Sequence, residues 1–281
     1  MPDKAYKILV TLSTLIIIIT GAYLIISQRV VPTYKATLQT KHQNHDIDKK
    51  YQQLVHDLQN KIAQSPIKTE IGIYDATSNK TWILHSSKEE EPHQMASTIK
   101  VSILANELRL HKTLSDQTSV WANNMITHSD NDSATALLTD QGGYAAPNEL
   151  FKDLGMSHSQ MNTSAWGIST STASDQLILL KNIFYTSGTL TNSMRTTIKT
   201  LMGQVEDDQQ WGVPTGAGDD FQVKNGWLNN EDGTWIVNSL GHIKSEHHDY
   251  VVALLSDNNS SFEAGINYLN SMAKVINTSL K

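Results

Sequence analysis

Apolar residues along this chain recur with two different periods. Ile47, Tyr51, Leu54, Val55, Leu58 and Ile62 fall at three- and four-residue spacing and predict an amphipathic helix. Helical patterns return in "VSILANEL" from Val101, in "SATALL" after Asn131, between Ala173 and Phe184, and in the closing "SFEAGINYLNSMAKVI". Strand-like runs lie elsewhere. "IGIYDAT" and "KTWILHSS" flank Ser78 and Asn79 as a hairpin, and "FQVKNGWL", "TWIVNSLGHI" and "DYVVALLS" follow later, separated by turns rich in Asn, Asp and Gly. The order is helix, two strands, a block of helices, three strands, helix. It predicts an α/β (α+β) fold in which a five-stranded antiparallel sheet is flanked by helices and the central block forms a second, all-α lobe.

One apolar run has no place in that scheme. Ile8 to Gln28, "ILVTLSTLIIIITGAYLIISQ", carries no charge and has about the ~20 residues a helix needs to cross a membrane. After a short tail over 1–7 it predicts an uncleaved single-pass anchor, because "ISQRVVPTYKA" offers a poor cleavage site. Lys4 and Lys7 precede the run and Arg29, Lys35 and Lys41 follow it, so charge does not favour a cytoplasmic N-terminus. Residues 29–45 read as a linker and 46–281 as the globular domain. Within it, 46–94 and 215–281 are expected in an α/β lobe and 95–214 in a mainly helical one.

Composition narrows the chemistry. The chain has 281 residues, 39% hydrophobic and 18% charged, which suffices for a full core. A net charge of −6 without any Lys/Arg cluster excludes a surface built for nucleic acid. The absence of cysteine removes thiolate catalysis, cysteine zinc sites and disulfides. Eleven histidines include His242, His247 and His248, but no H-E-x-x-H motif occurs and these three fall at a predicted hairpin turn. No metal or other cofactor is expected. Trp82, Trp121, Trp166, Trp211 and Trp235 are expected in the core or as cleft walls.

Three short motifs carry the reactive groups. In "MASTIK", Ser97 and Lys100 open an apolar helix and share one of its faces. Serine needs a base to become a nucleophile, and lysine can be that base only if burial or a nearby cation lowers its pKa far below about 10.4. At the helix start Ser97 also has a free backbone N–H, aimed where an oxyanion forms. The spacing alone proves little, since S-x-x-K recurs at Ser65/Lys68 beside Pro66 and at Ser271/Lys274 within the closing helix. In "THSDNDSATALL", Ser129 and Asp132 match a capping box, yet Ser129 and Asn131 can also face a cleft beside Ser97. The "SDN" at Ser256 to Asn258 is read as an ordinary strand-to-helix turn. In "FQVKNGW", Lys224 sits late in a strand, and Gly226 marks the close approach of a ligand or another backbone.

Together, S-x-x-K opening one helix, S-D-N opening a later one and K-x-G on a C-terminal strand resemble the active-site serine family of class A β-lactamases and penicillin-binding proteins. The resemblance covers Ile47 to the C-terminus and implies a cleft between the two lobes. It implies that Ser97 is acylated, that Lys100 takes its proton, and that Ser129 relays a proton to the leaving nitrogen. Asn131 would hold Lys100 or the substrate amide. Lys224 would bind a substrate carboxylate and help depress the pKa of Lys100, with Asn225 and Gly226 beside it, and the N–H groups of Ser97 and Trp227 would form the oxyanion hole.

Three departures qualify that picture. Asn225 stands where relatives carry Thr or Ser, and bulky Trp227 where a small residue is expected. The stretch 154–174, where class A enzymes carry the glutamate that activates the deacylating water, contains no Asp or Glu. The expected function is a membrane-anchored serine hydrolase acylated by β-lactams or cell-wall peptide amides, lacking the loop glutamate that efficient deacylation requires. The alternatives are a D,D-peptidase-like enzyme and a catalytically weak module that binds peptidoglycan or a partner. The small-molecule partner is thus a β-lactam or a peptidoglycan stem peptide. The family's substrates place the domain on the outer side of the cell membrane.

Overall fold

The five predicted strands pair as one antiparallel sheet in the computed structural model, which describes residues 49–280. They are β1 (Lys68–Asp75), β2 (Lys80–His85), β5 (Phe221–Asn229), β6 (Trp235–Lys244) and β7 (Asp249–Asn259), in the order β2-β1-β7-β6-β5. A separate two-residue pair, β3 (His93–Gln94) with β4 (Thr170–Ser171), was too short to show any period in the sequence. The chain divides after Gln53, and residues 54–281 form one compact unit. The predicted tail, membrane run and most of the linker lie outside the described residues, among which no helix is long and apolar enough to cross a membrane.

Alternation along β7 sets the layers. Val251, Ala253 and Leu255 join the main apolar core together with residues of the helical block, whereas Tyr250 points the other way and its hydroxyl donates to Asn277 Oδ1 on the closing helix. Every residue from Tyr250 to Leu255 is buried, so the sheet is covered on both faces. The helix over residues 49–63 (α1) buries Leu54, Leu58 and Ile62, the stripe its spacing predicts.

The helical block comprises α2 (Lys100–His111), α3 (Asp116–Thr127), α4 (Asn131–Asp140), α5 (Pro147–Leu154), α6 (Ala173–Phe184) and α7 (Asn192–Met202), and α8 (Phe262–Ser279) closes the chain. Local chemistry marks their ends. Ser115 and Thr118 form a reciprocal cap at α3, Pro147 starts α5 and a left-handed Gly155 stops it. Gly72 has a packing reason of its own, since a Cβ there would lie 2.9 Å from Leu177 Cγ and 3.0 Å from Ala173 O, pushing α6 off β1.

Both control copies of S-x-x-K are structural. Ser65 precedes β1 and accepts from its neighbour's Ile67 N–H, and Ser271 returns its hydroxyl to Tyr268 O inside α8. The second "SDN" lies within the end of β7, not after it, because Ser256 Oγ donates to Val237 O and extends the pairing with β6. His242, on β6, contacts Gln222 Oε1 on β5 and Asp249 Oδ1 on β7, and His248 contacts Asp75 Oδ2 on β1, so these rings link neighbouring strands at one end of the sheet.

Candidate active site

Ser97 stands in a 3-10 turn, Ala96–Ile99, that runs directly into α2. Thr98 N–H donates to Met95 O at 3.2 Å, while Ser97 N–H, at the very start of the turn, has no such turn acceptor among the described residues. The turn is entered through Ala96 at φ 47, the left-handed region that an alanine rarely adopts and that costs of order 1–3 kcal/mol. Surrounding bonds hold it there: Met95 N–H donates to Ser169 O, Thr98 Oγ1 donates to Met95 O, and the Asn238 amide donates to Gln94 O and Met95 O. Asn238 was not foreseen. Its signal was a polar pair, Asn238–Ser239, inside an otherwise apolar strand.

Gly226 explains why β5 can lie against that turn. A Cβ at this position would stand 2.7 Å from Ser97 N, 2.6 Å from Thr98 N and 2.9 Å from Met95 O. The expected close approach is therefore that of backbone on backbone. It brings the edge strand beside the serine.

Lys100 is buried and its Nζ donates to Ser129 O at 2.5 Å, Asn131 Oδ1 at 2.7 Å and Ser129 Oγ at 3.2 Å. Burial lowers its pKa to about 7, against the opposing pull of Asp130. A carboxylate so close would ordinarily keep the ammonium charged, but Asp130 is partly exposed and turns its oxygen to Ser133 N–H as the cap of α4. The capping role thus falls one residue later than the S-x-x-D pattern gave it. Ser129, at φ 58, takes no part in the cap and its hydroxyl accepts from Lys100 and Lys224.

Lys224 reaches the same hydroxyl from the sheet. Its Nζ donates to Ser129 Oγ at 2.9 Å and to Asn225 O at 2.9 Å, in full burial. Burial and then the neighbouring Lys100 push its pKa well below the lysine range. Repulsion between two buried ammonium groups acts on both, so each disfavours charge on the other, and burial is the larger cause at both positions.

Strand alternation divides the third motif between two faces. Lys224 and Gly226 face Ser129 and Ser97. Asn225 and Trp227 face away, which corrects the placement of the Asn225 side chain against substrate: its amide N–H groups go to Gln209 O at 2.7 Å and Trp211 O at 2.9 Å. The Trp227 ring packs on Trp211 and Phe262 at centroid distances of 6.1 and 5.3 Å, on the face of β5 away from Ser97. Asn131, by contrast, is where it was expected, on Lys100.

Among the described residues, no hydrogen bond joins the Ser97 hydroxyl to Lys100, whose donors are all spent on Ser129 and Asn131. The Trp166 ring lies 5.2 Å from Lys100 Nζ, with its Nε1–H donated to Thr135 Oγ1. Foreseen as core or cleft wall, it closes the side of the site formed by 154–174. Its proximity to the lysine had no sequence signal.

The sequence model of the β-lactamase enzyme family matches residues 109–280, more than half of the chain. The chain belongs to that family. Ser129, Asn131 and Lys224 to Trp227 lie within the matched β-lactamase region, and Ser97 and Lys100 precede it. Solved structures agree on the fold. The class A β-lactamase of the last common ancestor of Gram-negative bacteria has a TM-score of 0.68 at 16% identity, covering 81% of this chain and 99% of its own. PBP-A also scores 0.68, at 17% identity over 81% of this chain and 95% of its own. The β-lactamase from Streptosporangium roseum scores 0.67 at 14% identity over 81% and 98%. A mutant of PBP-A has been solved as an acyl-enzyme complex with penicillin G. A search of curated proteins found no match.

Proposed function

We propose that this protein is a serine acyl-enzyme of the β-lactamase type, acylated at Ser97 by a β-lactam or by the amide of a cell-wall stem peptide. The observation that carries this reading is the Ser129 hydroxyl held between Lys224 Nζ at 2.9 Å and Lys100 Nζ at 3.2 Å. Two buried amines on one hydroxyl are costly to assemble and serve no evident packing need. They make a proton path.

Ser97 Oγ bonds to the carbonyl carbon while its proton passes to neutral Lys100, whose amine turns from Ser129 toward the serine once substrate is bound. The N–H groups of Ser97 and of Trp227 on the edge strand accept the negative charge on the carbonyl oxygen. As the C–N bond breaks, Ser129 gives its proton to the leaving nitrogen and is reprotonated through the lysines. Lys224 takes a proton from solvent as substrate enters and, so charged, pairs with its carboxylate. Water must later cleave the ester. With no acid in 154–174 and Trp166 beside Lys100, nothing in that wall activates the water, which favours a persistent adduct over rapid β-lactam turnover. That leans toward penicillin-binding or D,D-peptidase-like behaviour.

We place the domain on the outer face of the cell membrane, tethered by the 8–28 run, because cell-wall peptides lie there. The test is a time course of intact mass with a fluorescent penicillin, run beside Ser97→Ala. A long-lived adduct that depends on Ser97 supports the proposal, and a transient one makes the protein a competent β-lactamase. No adduct with any penicillin or stem-peptide ester would leave a binding module as the better description.

A further inference from the structure

The two helices that begin at the active site also end together. α2 runs from Lys100 to His111 and α4 from Asn131 to Asp140, so their C-terminal ends lie about 15–18 Å from their starts at 1.5 Å per residue. There Glu107 and His111, one turn apart on α2, meet Asp140 of α4, with a ligand atom of each within 4.8 Å of the others. His111 Nε2 is 3.8 Å from Glu107 Oε1 and 3.5 Å from Asp140 Oδ2.

Glu107 is the unusual member. Its side chain is 1% exposed, against 46% for His111 and 42% for Asp140, and its Oε2 is buried without a hydrogen-bond donor. The neighbouring cations are engaged elsewhere: Arg109 with Asp153 and Asn106, and Lys112 with Arg109 O. A buried carboxylate facing a second carboxylate, with no lysine or arginine, is unfavourable unless protonated or joined by a cation. Two helix C-termini converge on it, and their dipoles also favour positive charge.

We propose that Glu107, His111 and Asp140 bind a divalent transition-metal cation, zinc foremost, which clamps the far ends of α2 and α4. One imidazole and two carboxylates suit zinc, and tetrahedral ligands at about 2.0–2.2 Å stand roughly 3.3–3.6 Å apart, close to the separations here. The half-exposed His111 and Asp140 leave an entry path and a fourth position for water. A cation there offsets the charge of the buried Glu107 carboxyl. The competing arrangements are a protonated His111 bridging the two acids and a protonated Glu107 hydrogen-bonded to Asp140, with Gln141 beside it; the variants below separate them from a metal site.

The test uses the full chain in detergent, stripped with chelator and titrated calorimetrically with zinc chloride, beside His111→Ala, Asp140→Asn and Glu107→Gln. Other histidines can take zinc, so the decisive readout is the difference in stoichiometry. We expect His111→Ala to bind one equivalent fewer than the parent, Asp140→Asn and Glu107→Gln to bind that equivalent at least tenfold more weakly, and the zinc-dependent rise in thermal midpoint to vanish in all three. The two half-exposed substitutions leave the core intact, so misfolding does not obscure the result. Equal stoichiometry and equal midpoint shifts in parent and His111→Ala would overturn the site, as would a metal-independent stabilisation by Glu107→Gln with unchanged zinc binding, which would mark a merely protonated acid.

Discussion

Lys224 Nζ donates to the hydroxyl of Ser129 at 2.9 Å across 95 residues of chain, tying the edge of the sheet to the turn before α4. Because Lys100 donates to the same oxygen, the Ser129 proton is left pointing outward, where a leaving nitrogen would be. Ser129→Ala should therefore slow acylation by penicillin by about 10²–10⁴-fold, the range for loss of a positioned proton donor, and should lower the melting temperature, because two buried lysines lose an acceptor. Stopped-flow acylation beside a thermal melt checks both halves. An unchanged acylation rate would remove Ser129 from the proton path.

The second prediction concerns pH. Lys100 accepts the Ser97 proton only when neutral, and burial brings its pKa to about 7. Acylation should rise with pH through an inflection near 7 and level off above it. Trp166→Ala opens the wall 5.2 Å from Nζ and readmits water, which should move the inflection upward. Lys100→Arg should be inactive throughout, because a guanidinium does not give up its proton. A parent profile flat from pH 6 to 9 would rule out Lys100 as the base.

Much of this arrangement was legible before any coordinates. Helix and strand periods were strong wherever an element buries one full face, and they gave the sheet, α1, α6 and α8. Turn-closed helices such as α5, and the two-residue β3–β4 pair, are too short for a period to register. At the site, residue types and order marked Ser97, Lys100, Ser129, Asn131, Lys224 and Gly226. What the sequence did not reveal depends on long-range packing: the direction of Asn225, the Trp166 ring beside Lys100, and the Asn238 brace behind Met95. Strand alternation puts Asn225 on the face opposite Lys224, whereas the resemblance to relatives with a hydroxyl there drew it toward the substrate.

Gly226→Ala tests the contact between β5 and the nucleophile turn. A methyl group 2.7 Å from Ser97 N cannot be accommodated by a side-chain shift, since the obstacles are backbone atoms. The strand must withdraw. Acylation should fall by about 10²–10³-fold, as for loss of an oxyanion donor, with a stability loss of about 1–3 kcal/mol from overpacking. Retained acylation at parental stability would mean that the strand and turn are not in contact.

Asn225→Ala should separate structure from recognition. The change leaves Gln209 O and Trp211 O without their donors, costing about 1–3 kcal/mol in a denaturant melt. Since the side chain points away from Lys224, saturation by a carboxylate-bearing penicillin should change little. A large loss of affinity without loss of stability would return Asn225 to the substrate site.

Acid stability provides the last test. His93 is buried with both ring nitrogens unpartnered, and burial lowers its pKa to about 4. Glu70 Oε1 is 4.0 Å from Nε2, too far for a hydrogen bond, and that carboxyl already accepts from Ala173 and Glu91 N–H groups. An unfolded histidine takes up its proton near pH 6.5, the folded one only near 4, so between these values the unfolded state binds more protons and stability falls as pH drops. The full loss, of order 3 kcal/mol, is reached below about pH 4. His93→Leu should flatten the stability profile between pH 6.5 and 4 while other acid-sensitive groups remain. Parallel profiles for parent and variant, measured by urea unfolding, would show that His93 is not the group that responds to acid.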